Sequence, residues 1–170
     1  IQGETIKREY PAHNSENIIE GFSDLVAMLY LLSKADNHIS SEEIEVIDSF
    51  FKNILKLSDD QYKLAIEYFN NAGSINTVFE VYARNFYSCH QNDKDLLEAV
   101  CTILTNIALS DGVLSSEEEI LINEVISIFD VSGYAYTDFK TKQNQQKVEK
   151  SEIEKKYAII LGLDNEYSFE

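Results

Sequence analysis

The chain has 170 residues and a mass of 19.4 kDa, a length suited to one domain, and its 44% hydrophobic and 26% charged content is that of a globular protein. One Pro and six Gly exclude collagen-like and Pro/Gly low-complexity chains. Thirty Asp and Glu against fourteen Lys and Arg give a formal charge of -16, which excludes a nucleic-acid surface steered by cations and favours a basic partner or a metal.

The longest apolar run, Leu25 to Leu32, is eight residues, against the roughly 20 that a spanning helix needs, so neither a signal peptide nor a membrane contact is expected in this stretch. Cys89 and Cys101 are too few for a disulfide framework or a cysteine metal cluster and read as reduced thiols of a cytoplasmic protein. The start at Ile1 and the end at Glu170 read as cuts from a longer protein.

Residues 1–14 read as an N-terminal tail and 15–139 as one helical domain. Over 15–35, Ile18, Phe22, Leu25, Leu29 and Leu32 recur at steps of three and four, which predicts an amphipathic helix. Ser40-Ser41-Glu42-Glu43 is a capping box that opens a second helix with the stripe Ile44, Ile47, Phe51 and Ile54. Ser58-Asp59-Asp60-Gln61 does the same before Tyr62, Ala65, Ile66 and Phe69, and Gly73 ends that third helix. A fourth helix over about 75–89 uses Ile75, Val78, Phe79, Tyr82 and Phe86, and a fifth uses Leu96, Val100, Ile103, Leu104 and Ile107. A sixth runs from Ser116 to Phe129. Period-two runs flanked by turn pairs are missing, so the predicted class is all-α, a compact bundle of seven to eight helices. From Lys140 to Lys156 six lysines stand against three glutamates, and the Gln/Lys-rich stretch 140–152 reads as a polar linker or solvated helix end. The apolar run Tyr157 to Leu163 then starts something new within 153–170.

The most informative feature is a repeat at an offset of 75 residues. Asp36-Asn37-His38-Ile39-Ser40-Ser41-Glu42-Glu43 matches Asp111-Gly112-Val113-Leu114-Ser115-Ser116-Glu117-Glu118. Flanking core positions pair as well: Leu25 with Val100, Met28 with Ile103, Leu29 with Leu104, Leu32 with Ile107, Ile47 with Ile122 and Phe51 with Ile126. Two helix-turn-helix units related by a pseudo-twofold axis are therefore expected. Asn37 and Gly112 suit the left-handed conformation that ends one helix, and Ser40 and Ser115 cap the next, so a wholly structural reading of both turns is available.

The functional reading of the same residues is a divalent cation held by Asp36, Glu43, Asp111 and Glu118, should the pseudo-twofold axis bring the turns together. A calcium-binding EF-hand does not fit. Its first and third positions would fall on Leu32 and Lys34 in one copy and on Ile107 and Leu109 in the other, none of which supplies a side-chain oxygen. His13, His38 and His90 are scattered outside any nucleophile or HExxH pattern, so no catalysis and no resident cofactor are expected. Ten Tyr and nine Phe offer core mass or a partner groove, with Tyr82, Phe86 and Tyr87 as candidates for an interaction surface.

The paired Asp-Gly-x-Ile-x-x-x-Glu turns resemble the TerB-like fold of tellurite-resistance proteins over about residues 16–140, with Asn37 replacing Gly in the first turn. The layout is also similar to that of DjlA-type (DnaJ-like) membrane co-chaperones, in which a membrane anchor, a TerB-like domain, a linker and a J-domain follow one another. Tyr157 to Leu163 followed by Tyr167-Ser168-Phe169-Glu170 looks like the opening of a J-domain. That resemblance implies a non-catalytic module that positions a J-domain for Hsp70 and takes up a client protein, on the cytoplasmic side of an inner membrane. The rival it leaves is a stand-alone tellurite-resistance or stress protein that binds a divalent metal through the acidic turns.

Overall fold

The computed structural model describes residues 18–74 and 77–145, and every regular element among them is helical. In chain order these are α1 (Phe22–Ser33), α2 (Ser41–Ser49), which continues as a π turn over Phe50–Ile54, α3 (Asp59–Ala72), α4 (Phe79–His90), α5 (Lys94–Ala108), α6 (Ser116–Phe129) and a helix over 134–145, here α7. The expected all-α bundle is present. The tail 1–14, Ile75 and the segment from 146 onward, with the J-domain-like residues, lie outside the described residues.

Two helices carry the centre. In α1 Leu25, Val26, Met28, Leu29 and Leu32 are buried, and in α5 Leu97, Val100, Leu104 and Ile107 are buried. Leu25, Leu29 and Leu32 and Val100, Leu104 and Ile107 hold the positions expected from the spacing, whereas Ile18 precedes α1 and is half-buried, Leu97 is buried in place of Leu96, and Ile103 is half-buried; α1 and α5 touch each other. α1 also packs on α3 and α4, α4 on α6, and α5 on both α2 and α6. Aromatic rings fill the spaces between: Phe86 lies against Phe129 with centroids 5.9 Å apart, and Tyr30 meets Phe69 edge-on at 5.1 Å.

Helix boundaries shift where backbone chemistry overrides periodicity. α1 starts at Phe22, not at 15, because Gly21 adopts φ 70° and breaks the helical path. α4 starts at Phe79 behind an extended Val78, whose side chain is exposed and not in the stripe expected of it. In α2 the inward line is Glu43, Ile47, Phe50 and Phe51, while Ile44 is exposed and Ile54 is 61% exposed. The cause is the π turn: the Leu55 N–H donates to the Phe50 carbonyl at 2.9 Å, five residues back, so both phenylalanines rotate inward and Ile54 rotates out. Ile66 of α3 also faces solvent.

Of the two readings of 140–152, a polar linker or a solvated helix end, the described part 140–145 takes the second and continues α7 without a break. α7 begins after a tight corner, where Asp130 and Gly133 have φ 51° and 56°. A Cβ on Gly133 would run into the Ile126 side chain and would strain a left-handed backbone as well. Gly133→Ala is therefore expected to lower stability by about 1–3 kcal/mol. In urea unfolding, the Gly133→Ala/Ile126→Ala double variant should lose less stability than the sum of the two single losses, because Ile126→Ala removes the steric component of G133A and leaves the backbone one; strictly additive losses would refute this account of the corner.

Candidate functional site

The two acidic turns have the same geometry to within small differences. Asn37 and Gly112 stand at φ 67° and 83°. Their amides donate to Lys34 and Leu109 carbonyls at 2.9 and 3.0 Å, and the amides of Ala35 and Ser110 donate to Leu32 and Ile107 at 3.0 and 3.1 Å. Asp36 Oδ1 accepts from the His38 amide and Asp111 Oδ1 from the Val113 amide, each at 2.8 Å. Both aspartates thus brace their own turn, the local bond for which Asp is favoured there.

Each following helix opens with a reciprocal capping box. The Ser40 hydroxyl accepts from the Glu43 amide at 3.1 Å and the Glu43 carboxylate accepts from the Ser40 amide at 2.7 Å. Ser115 and Glu118 repeat the pair at 3.1 and 2.8 Å, and the Ser115 hydroxyl also donates to the Glu118 carboxylate at 2.7 Å. What the spacing alone did not reveal is depth: Glu43 is 6% exposed and Glu118 7%. Each box places a carboxylate at the edge of the core, where charge is costly unless hydrogen-bonded.

Burial pushes the Glu118 carboxyl above the usual glutamate range, the hydrogen bonds from Ser115 pull it back, and the charges of Glu43 and Asp36 push it up again. The fold therefore brings three of the four candidate ligands, Asp36, Glu43 and Glu118, into one electrostatic neighbourhood, while the contact made by Asp111 is with its own turn. No group of three or more His, Cys, Asp or Glu among the described residues is arranged to hold a metal ion. Two buried hydroxyls at the ends of the helices that enter the turns, Ser33 Oγ and Ser110 Oγ, have no hydrogen-bond partner in the structure.

The aromatic candidates need correction. Tyr82 is 3% exposed and Phe86 0%, so both are core residues and present no surface. Their stripe faces α1 and α6 because α4 lies between those helices. Tyr87 is half-buried and stacks on Phe129 with centroids 6.3 Å apart. Cys89 is exposed and Cys101 buried, both as free thiols, and burial together with Glu98 pushes Cys101 up to about 12, far from a reactive thiolate.

Sequence reasoning missed the residues that close the other end. Lys94 Nζ donates to the Phe129 carbonyl at 3.0 Å and the Asp130 carbonyl at 2.7 Å, satisfying the C-terminus of α6. One turn along α5, Glu98 accepts from the amides of Ser132, Gly133 and Tyr134 at 3.0, 3.3 and 2.8 Å and caps α7. A Lys and a Glu four apart read as a solvated i,i+4 pair, and nothing in the spacing points to backbone partners more than thirty residues away.

The family model described as Tellurite resistance protein TerB matches residues 23–141, a span that takes in both acidic turns and the start of α7. No curated protein and no solved structure matches the chain. Among the described residues no helix is long and apolar enough to cross a membrane.

The Glu118 geometry sets a pH dependence. A carboxyl raised in the folded state binds its proton more tightly there than in the unfolded chain, so its contribution to stability is fully present below the ordinary value of 4.5 and is lost as the pH rises through the raised value. Glu118→Gln should flatten that fall while keeping the cap, since Ser58 and Gln61 already form a working box in α3. Glu43→Gln should lower the Glu118 titration midpoint followed by carboxyl NMR; an unmoved midpoint would show that the two turns do not interact.

Proposed function

This chain belongs to the TerB family, and from that premise we propose that it is a non-catalytic interaction module whose acidic-turn end receives a basic segment of a partner protein. The observation that carries the reading is the crowding of negative charge there: Glu118 lies within reach of the charges of Glu43 and Asp36 in a chain whose formal charge is -16. Like charges gathered at the mouths of two rigid turns raise the local potential, and a lysine- or arginine-bearing segment relieves it on docking. The turns are preorganised by their caps, so a partner meets a fixed charge pattern without an ordering penalty.

In the finer form of the proposal the partner is a client or regulatory segment, and the module is the accessory domain of an Hsp70 J-domain co-chaperone, held at the cytoplasmic face of a membrane by another part of the protein. The similarity of Tyr157 to Glu170 to a J-domain opening supports this form. Tethering would then raise the local concentration of client near Hsp70. Reading the coding sequence past Glu170 tests it: a basic helix followed by His-Pro-Asp is expected, and a stop or an unrelated sequence removes the co-chaperone role while leaving the module.

The rival reading is a divalent cation drawn to Asp36, Glu43 and Glu118 in the manner of a metal-responsive stress protein; against it, no such group among the described residues is arranged to hold a metal ion. Isothermal titration separates the two. A lysine-rich peptide should bind at low salt, weaken at high salt, and weaken further in Asp36→Asn/Asp111→Asn, whose side chains keep the acceptor that braces each turn. Calcium, magnesium and zinc at millimolar concentration should give no heat if the first reading is right; heat from an ion and none from the peptide reverses the choice, and silence from both eliminates the acidic end as a binding site.

A further inference from the structure

We propose that α7 is a detachable strap, latched to the body by two carboxylates, whose seating decides where the following chain leaves the domain. Every other helix contributes at least one buried apolar side chain to the core, whereas none within 134–145 does. Tyr136 is only half-buried against the core. The attachment is polar instead. Glu98 holds the three amides at the start of the strap at 2.8–3.3 Å. Glu119 of α6 receives the Tyr136 hydroxyl at 2.5 Å and the Lys140 ammonium at 2.8 Å. Asn123 adds a 3.3 Å bond to the Tyr136 hydroxyl.

A segment held mainly by charge-assisted bonds at its rim, in which Ala135, Tyr136 and Phe139 are half-buried and no apolar side chain is fully buried, sits at the low end of local stability, and it opens without unfolding its neighbours. The contacts also fix direction. Gly133 lies at Ile126, Tyr136 at Asn123 and Glu119, and Lys140 at Glu119, so α7 runs antiparallel to α6 and carries the chain toward the acidic turn that precedes α6. Seated, the strap delivers whatever follows residue 145 to that end. Unseated, it releases that delivery and uncovers Glu119, Asn123 and Ile126, which share one face of α6 at i, i+4 and i+7.

Hydrogen exchange on the full chain tests this. Amides of 138–145 should exchange at least about tenfold faster than those at the centres of α1 and α5, as expected for local opening. Glu119→Gln removes the charge that holds Lys140 and should speed exchange in 138–145 by about tenfold while leaving α1 and α5 unchanged, the size expected for loss of a hydrogen bond to a charged group. Glu98→Gln keeps one acceptor but turns an amide donor on the remaining backbone donors and should act in the same direction. Equal protection of α7 and the body overturns detachability. Acceleration in every helix alike, or in none, overturns the latch.

Discussion

A carboxylate buried at the edge of the core, tied to the amide of its own capping serine, is the interaction on which the rest of this bundle rests. Glu43 and Glu118 each fix the first turn of a helix, and each does so next to a left-handed residue that ends the helix before it. Together these two constraints fix where α1 ends and α2 begins, and where α5 ends and α6 begins. Each cap is worth on the order of 1 kcal/mol, yet its geometric effect is larger than its energy. The stripes of α1 and α5 face each other, and aromatic rings of α3, α4 and α6 fill the spaces around them.

The same economy explains how so acidic a chain folds. Much of its negative charge does local structural work: Asp36, Asp93 and Asp111 accept from nearby amides, Asp48 takes both Lys52 and the Tyr62 hydroxyl, and Glu98 and Glu119 hold α7. Acidic residues in first turns also complement the helix dipole. What is left over concentrates at the turn end, where Glu118 of the second copy feels Glu43 and Asp36 of the first. A site and a scaffold thus share residues, and a substitution there reads on both stability and binding unless it preserves the cap.

Much of the fold was legible because its signals are local. Capping boxes and stripes of period 3.6 act within a few residues of themselves, the repeat shows the same local turn chemistry twice, and each led to a helix or turn found close to where it was expected. The failures share a physical cause. Ile54 was misassigned because periodicity assumes an α helix throughout and a π turn changes the phase, and Ile44 because it sits on the flank of the stripe, where the inward line of the same α turn runs through Glu43 and Ile47. Tyr82 and Phe86 were offered as surface because aromatic content cannot say which face is covered. Glu98 and Lys94 were invisible because their partners are backbone atoms far along the chain. At the turns, residue types showed that acids were present, and only the packing showed how deep they lie.

The π turn sets the two halves apart. At the repeat offset of 75, Ile54 corresponds to Phe129, which is 0% exposed where Ile54 is 61% exposed. A turn closed five residues back winds more slowly than an α turn, so it rotates the side chains within and beyond it relative to the other copy and leaves the preceding turn and cap in register. A duplicated pair of helices can drift apart in this way without losing its axis. The copy with an uninterrupted helix keeps its role in the core, while the other gains a free outer edge on which new contacts can be selected.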